Sequence, residues 1–175
     1  MIDVIQPATP GVVSTPLTLD PIPRDELGQL YRYWTSLREA NALPHIAAVK
    51  PEHLGFMLGR INLIEVHDHP RRYRLRLVGS TISHIEGREL HGRTTEEIRP
   101  AAYREAVEAH YAAAFAARAP SLHEMALSNG IVTRRYWRII LPFAENPPIS
   151  GVLMTGARHE DRLQDVLRSE AFQRQ

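Results

Sequence analysis

Between residues 72 and 78 the chain alternates strictly, with Tyr73, Leu75 and Leu77 on one side and Arg72, Arg74 and Arg76 on the other. A two-residue period predicts a strand with one buried face. Residues 61–66 predict a partner strand, and 67–71 the turn that joins the two into a hairpin. Upstream, residues 24–41 carry Leu27, Leu30, Tyr31, Trp34 and Leu37 at helical spacing, and Pro51 opens a short helix through Leu58. Gly79 breaks the alternating strand, Ile82 and Ile85 form a short apolar turn, and Gly87 and Gly92 mark positions that need positive backbone angles or close approach. The strongest helix spans 100–118, with Tyr103, Val107, His110, Tyr111, Ala114 and Phe115 on one face and alanines raising its propensity. Residues 122–128, 131–141 and 149–155 predict three further strands, turning at Asn129-Gly130 and at 145–148. Leu163, Val166 and Leu167 mark a charged, amphipathic terminal helix.

This order of helices, two strands, bridging helices and three strands describes an α+β chain. Residues 1–23 carry five prolines and no sustained period, and read as an extended arm, mobile or laid across the domain or a partner. One domain is expected over 24–157, followed by a helix or tail over 158–175. A length of 175 residues suffices for one buried core with extensions.

Composition narrows the chemistry. The net charge of +1 gives no global pull toward nucleic acid or an anionic membrane. The absence of cysteine excludes disulfides, thiolate metal sites, a cysteine nucleophile and a covalent flavin–cysteine adduct. No apolar run reaches the length of a membrane span and no secretory leader pattern opens the chain, so a cytoplasmic location is expected.

Four groups of residues, in order, carry a resemblance: Tyr33-Trp34 with Leu37-Arg38; the run from Tyr73 to Ser80; Gly87-Arg88-Glu89-Leu90 with Gly92; and Leu141-Pro142-Phe143. Their order and spacing resemble the fifth PAS subfamily, small bacterial domains that are often freestanding. The similarity covers roughly residues 27–156. Ser80 stands where this group more often has threonine and keeps a hydroxyl there. The resemblance implies a five-stranded antiparallel sheet with crossover helices on one face, cupping a pocket, plus N-terminal and C-terminal helices. It also implies a sensory or protein-interaction role in signalling, commonly as a homodimer, and no reaction.

The pocket candidates are His84, Ile85, Tyr103, Val107, His110, Arg135 and Trp137. On the long return strand, Ile131, Thr133, Arg135, Trp137, Ile139 and Leu141 form the more apolar face. If that face looks into the cup, Arg135 is a cation among apolar neighbours and needs an anionic partner. The partner is a ligand carboxylate or phosphate, or Glu124 on the adjacent strand; otherwise the face assignment is off by one residue. His84 and His91 flank the glycine-rich segment, with His84 the expected polar group of the pocket wall and Arg88 and Glu89 as anchors of the loop. His110 is conceivable as a haem ligand, but a histidine bonded to its neighbours is the expected reading, and the cofactor is left unknown. Leu30, Trp34 and Leu37 either pack on their own sheet or face a second copy.

His67-Asp68-His69 lies in a turn and lacks a second ligand cluster, so no metal site is expected. The arginines 72, 74 and 76, with Arg134 and Arg138 beside them if the faces coincide, form a basic surface without interleaved aromatics. Cross-strand pairing with Glu65 is the expected account, and nucleic acid is not an expected partner. No phosphate loop, nucleophile elbow or metalloprotease motif is present. The functional expectation is a sensory or interaction domain for a small molecule, a second copy or another signalling protein. The alternatives are a ligand-free dimeric adaptor and an enzyme on a one-sheet cone scaffold, the latter disfavoured by the order of strands.

Overall fold

The computed structural model describes residues 9–175; the first eight residues of the expected arm lie outside them. The strands are β1 (Gly11–Leu17), β2 (Ile61–His67), β3 (Arg72–Leu77), β4 (Ser121–Ser128), β5 (Thr133–Phe143) and β6 (Gly151–His159). The helices are α1 (Glu26–Ser36), α2 (Ser80–Glu86), α3 (Ala101–Ala117), α4 (Gln164–Leu167) and α5 (Glu170–Gln173), supplemented by three 3-10 turns at Ile46–Ala48, Pro51–Met57 and Thr95–Glu97. All pairings between these strands are antiparallel, and the sheet order is β1-β4-β5-β6-β2-β3.

Six strands stand where five were expected. The additional one comes from the proline-rich arm, where Gly11 to Leu17 pair with β4 from Ser128 to Leu122. Pro16 has no amide proton to donate, a deficit that an edge strand tolerates because one side of its backbone needs no ladder partner. Without β1 the edge of β4 would be open to pairing with another chain.

The sheet is covered on both faces, which are here called front and back. On the front, α2, α3, α4 and α5 bury a core that includes Tyr73, Leu75, Ile85, Val107, Tyr136, Ile140, Leu163 and Phe172. On the back, α1 and the turn at Pro51–Met57 bury Leu30, Trp34, Met57, Ile139, Leu141 and Phe143. The Asp25 carboxylate caps α1 by accepting from the Leu27 and Gly28 amides at 3.0 and 3.2 Å, satisfying donors that a helix start leaves free. Trp34 donates from its indole to the Pro142 carbonyl at 2.9 Å. At Gly156 a Cβ would lie 2.5 Å from Leu30 Cδ2, so the absent side chain is what lets α1 approach the sheet this closely.

The proposed dimer surface is therefore corrected. Leu30 and Trp34 are almost fully buried within their own chain, and Leu37 is packed against the same cluster. A contact through these side chains would require α1 to leave its sheet. The terminal helix is two short ones, and Leu163, Val166, Leu167 and Phe172 make it part of the front core.

Candidate functional site

A cavity of about 60 Å³ lies between the front of the sheet, α2, α3 and α4. That exceeds the roughly 10–15 Å³ needed by one water molecule. Its walls are mainly apolar: Leu75 from β3, Ile82 and Ile85 from α2, Val107 from α3, and Leu163 and Leu167 from the C-terminal segment. Against these stand a few polar side chains, chiefly Arg138, Glu86, Tyr103, Tyr111 and Tyr136.

Arg138 points from β5 to the front and is only 5% exposed. A guanidinium remains protonated in any protein environment. Among the described residues Arg138 has no carboxylate partner: one Nη donates to His110 Nδ1 at 2.8 Å, and Nε, also buried, has no acceptor. The rings of Tyr111 and Tyr136 lie 5.4 and 5.9 Å from its central carbon, within cation–π range.

The chemistry of that contact assigns the histidine tautomer. Arginine can only donate, so Nδ1 accepts, the ring proton sits on Nε2, and Nε2 donates to Ser14 Oγ at 2.8 Å. Burial, followed by the charge of Arg138 and the neighbouring His123, lowers the pKa of His110 to about 3. His123 stacks on it with centroids 3.8 Å apart, and burial and Arg138 lower its pKa to about 4. Both rings are neutral at ordinary pH.

The Tyr103 and Tyr136 hydroxyls are 2.9 Å apart. Burial raises the pKa of both, and lifts Tyr111 to about 12, so all three act as neutral hydroxyls. Within the pair one hydroxyl donates, which leaves the other's proton available to a third group. Glu86 closes α2; its side chain is 8% exposed, and burial raises its pKa to about 7 against the weaker opposing pull of Arg88, 3.8 Å away. Its Oε2 has no hydrogen-bond partner.

The C-terminal segment holds this wall in place. Arg168 donates to the Ile85 carbonyl at 3.2 Å and to that of His84, occupying acceptors that the end of α2 leaves free. Gly87 turns left-handed there (φ 72°), and a Cβ would meet Arg168 Nε at 2.8 Å. Arg88 donates to the Glu97 carbonyl at 3.0 Å, tying the loop to the turn before α3.

Of the residues singled out from sequence, Ile85, Tyr103 and Val107 line the cavity. His84 is corrected: it is exposed, and Glu86 is the polar group that this helix contributes to the wall. His110 stands behind Arg138, outside the cavity wall. Both its ring nitrogens are engaged, so a bond to haem iron would displace Ser14 or Arg138. Arg135 and Trp137 are corrected as well, because the face assignment of β5 was off by one residue. Arg135 is exposed and pairs with Glu124 at 3.5 Å and Glu160 at 4.0 Å. Trp137 packs with the back core, donating to Glu124 at 3.1 Å, with Arg158 over its ring at 4.1 Å.

The need for an anionic partner thus falls on Arg138, three positions on from Arg135. The expectation that Arg138 stands beside the basic row of β3 if the faces coincide is corrected, since its side chain is in the front core and cavity wall. In that row Arg74 pairs with Glu65 at 3.3 Å and Arg76 with Glu145 at 2.9 Å. His67 approaches Glu65 at 3.1 Å, and no group of three metal-ligating side chains occurs among the described residues. No helix among them is long and apolar enough to cross a membrane.

A family model described as a PAS domain matches residues 24–157. No curated protein matches the chain at a significant level.

Proposed function

This chain belongs to the PAS domain family, and on that premise we propose that it is a sensory module that takes a small molecule into the cavity between α2, α3, α4 and the sheet. The observation that carries the reading is the composition of the wall. Leu163 and Leu167 from the C-terminal segment and Ile82, Ile85 and Glu86 from α2 share one cavity with the sheet, and the Arg168 side chain ties the C-terminal segment to the backbone of α2. A ligand that fills this space favours one packing of α2 against α4. It shifts the equilibrium by its difference in affinity for the two packings. The output is then a change in the surface around residues 160–175, read by a second copy of the chain or another signalling protein. Since Leu30 and Trp34 are internal, a dimer would use other residues than these.

The test compares native protein with protein that has been denatured, dialysed and refolded. Native mass spectrometry should find a retained small molecule only in the first sample, and hydrogen exchange over 160–175 should be faster in the second. A native protein without retained mass, whose exchange in this segment equals that of the refolded sample, would overturn the reading in favour of a ligand-free adaptor.

A further inference from the structure

We infer that the ligand is a compact monocarboxylate whose carboxylate is received by Arg138 and whose short apolar body lies against Ile85 and Val107. The inference rests on the sensory-cavity reading above and gives it a ligand class. Its basis is the electrostatic state of the wall. Arg138 carries a permanent charge, is almost wholly buried, and among the described residues retains an unused Nε donor and has only a neutral imidazole and two aromatic faces as partners. A buried cation without a counter-ion is costly, and a carboxylate supplies both the charge and paired acceptors in the geometry that a guanidinium presents. The unassigned proton of the Tyr103–Tyr136 pair provides a further donor in the same wall.

Three observations limit the ligand. The volume of about 60 Å³ is well below the roughly 300 Å³ at which pockets for drug-sized ligands begin, so the body is short. Among the described residues one unpaired cation, Arg138, lines the cavity, so a second negative charge, as on a phosphate monoester, would be buried without compensation. Glu86 in the same wall, ionised above about pH 7, adds to that repulsion. A cationic ligand seeking Glu86 would in turn meet Arg138.

The experiment titrates the refolded, isotope-labelled full chain at pH 6.5 with acetate, butyrate and hexanoate, with the corresponding neutral amides, and with inorganic phosphate, following backbone resonances of Glu86, Tyr103, Val107 and Arg138. At least one acid is expected to bind about tenfold or more tightly than its amide. That preference should disappear in Arg138→Met and persist, weakened, in Arg138→Lys. Should Arg138→Met fail to fold, the acid-against-amide comparison in the unsubstituted chain decides alone. Amides that bind as well as the acids, or phosphate that binds better, would overturn the ligand class while leaving the cavity as a small-molecule site. If neither acids nor amides move these resonances, the cavity reading falls and the ligand class with it.

Discussion

Arg138 donates to His110 Nδ1 at 2.8 Å, joining a permanently charged side chain of the sheet to a neutral imidazole of α3. Among the described residues the pair lacks a carboxylate, and this asymmetry sets what each substitution should do. Arg138→Met removes a buried cation that has no counter-ion and is expected to leave the fold at least as stable as before. His110→Ala keeps the cation, removes its acceptor, and should cost about 1–3 kcal/mol. In the Arg138→Met background the same alanine change should cost less than about 1 kcal/mol, because the two residues share one contact. Chemical denaturation of the four proteins measures the cycle.

Arg135→Met serves as the counterpart on the other face of the same strand. Arg135 is about half exposed, and its pairs with Glu124 and Glu160 are 3.5 and 4.0 Å long. Exposed pairs of this kind contribute little, so stability should change by less than about 1 kcal/mol and the preference for a carboxylate should be unaffected. A loss of that preference would show that the two arginines are not separated by the sheet.

The pH dependence of stability should contain two opposed contributions. The folded-state pKa of Glu86 is raised from 4.5 to about 7, so the folded protein holds this proton more tightly than the unfolded chain. Stability from this group is full below about pH 4.5 and declines as the pH rises through about 7, by about 3 kcal/mol in all. His110 and His123 act in the other direction: their folded-state values are depressed from 6.5 to about 3 and about 4, so their contribution is full above pH 6.5 and is lost on acidification. Because the Glu86 decline runs between about pH 4.5 and 7 and opposes the gain from the two histidines, Glu86→Gln should make stability rise more steeply with pH across that window. Denaturation midpoints from pH 4 to pH 8 test this, and an unchanged slope between about pH 4.5 and 7 would contradict the assignment to Glu86.

Trp34→Ala should destabilise the protein by about 3–5 kcal/mol, since it opens a cavity beneath α1 and leaves the Pro142 carbonyl without its donor. If Trp34 instead served an interface between copies, the substitution would lower the association constant and leave the monomer's stability nearly unchanged. Denaturation at several protein concentrations separates the two results.

Removal of residues 1–18 should uncover β4 along the register from Leu122 to Ser128. Loss of stability together with self-association is the expected outcome, because an open edge pairs with other chains. Light scattering and size-exclusion chromatography follow it.

The sheet was legible where one strand face meets solvent. Arg72, Arg74 and Arg76 alternate with Tyr73 and Leu75, and that contrast sets β3 and its buried face, although the expectation for Leu77 is corrected, since it is 42% exposed at the strand's end. In β5 the contrast is missing, because Tyr136 and Ile140 are buried on the front and Ile139 and Leu141 on the back. A strand covered on both faces gives no polar side from which to assign direction, and Arg138 looked like a surface arginine for that reason. On α2 the spacing itself points to Glu86: Ile82, Ile85 and Glu86 follow the i, i+3, i+4 spacing of one helical face, and His84 falls off it. Strand β1 was hidden by Pro16 and by a short apolar content that only its partner strand turns into a pairing.

Ser14 rests on the far nitrogen of the imidazole that serves Arg138, and this gives the outermost strand an unexpected position. A single ring, carrying a single proton, fastens the sheet's rim on one side and steadies the cavity's cation on the other. If the cation turns toward an incoming anion, the ring is freed to tilt, and the grip on the rim slackens with it. On the proposed reading, strand β1 and the cavity's cation thus answer to one shared ring.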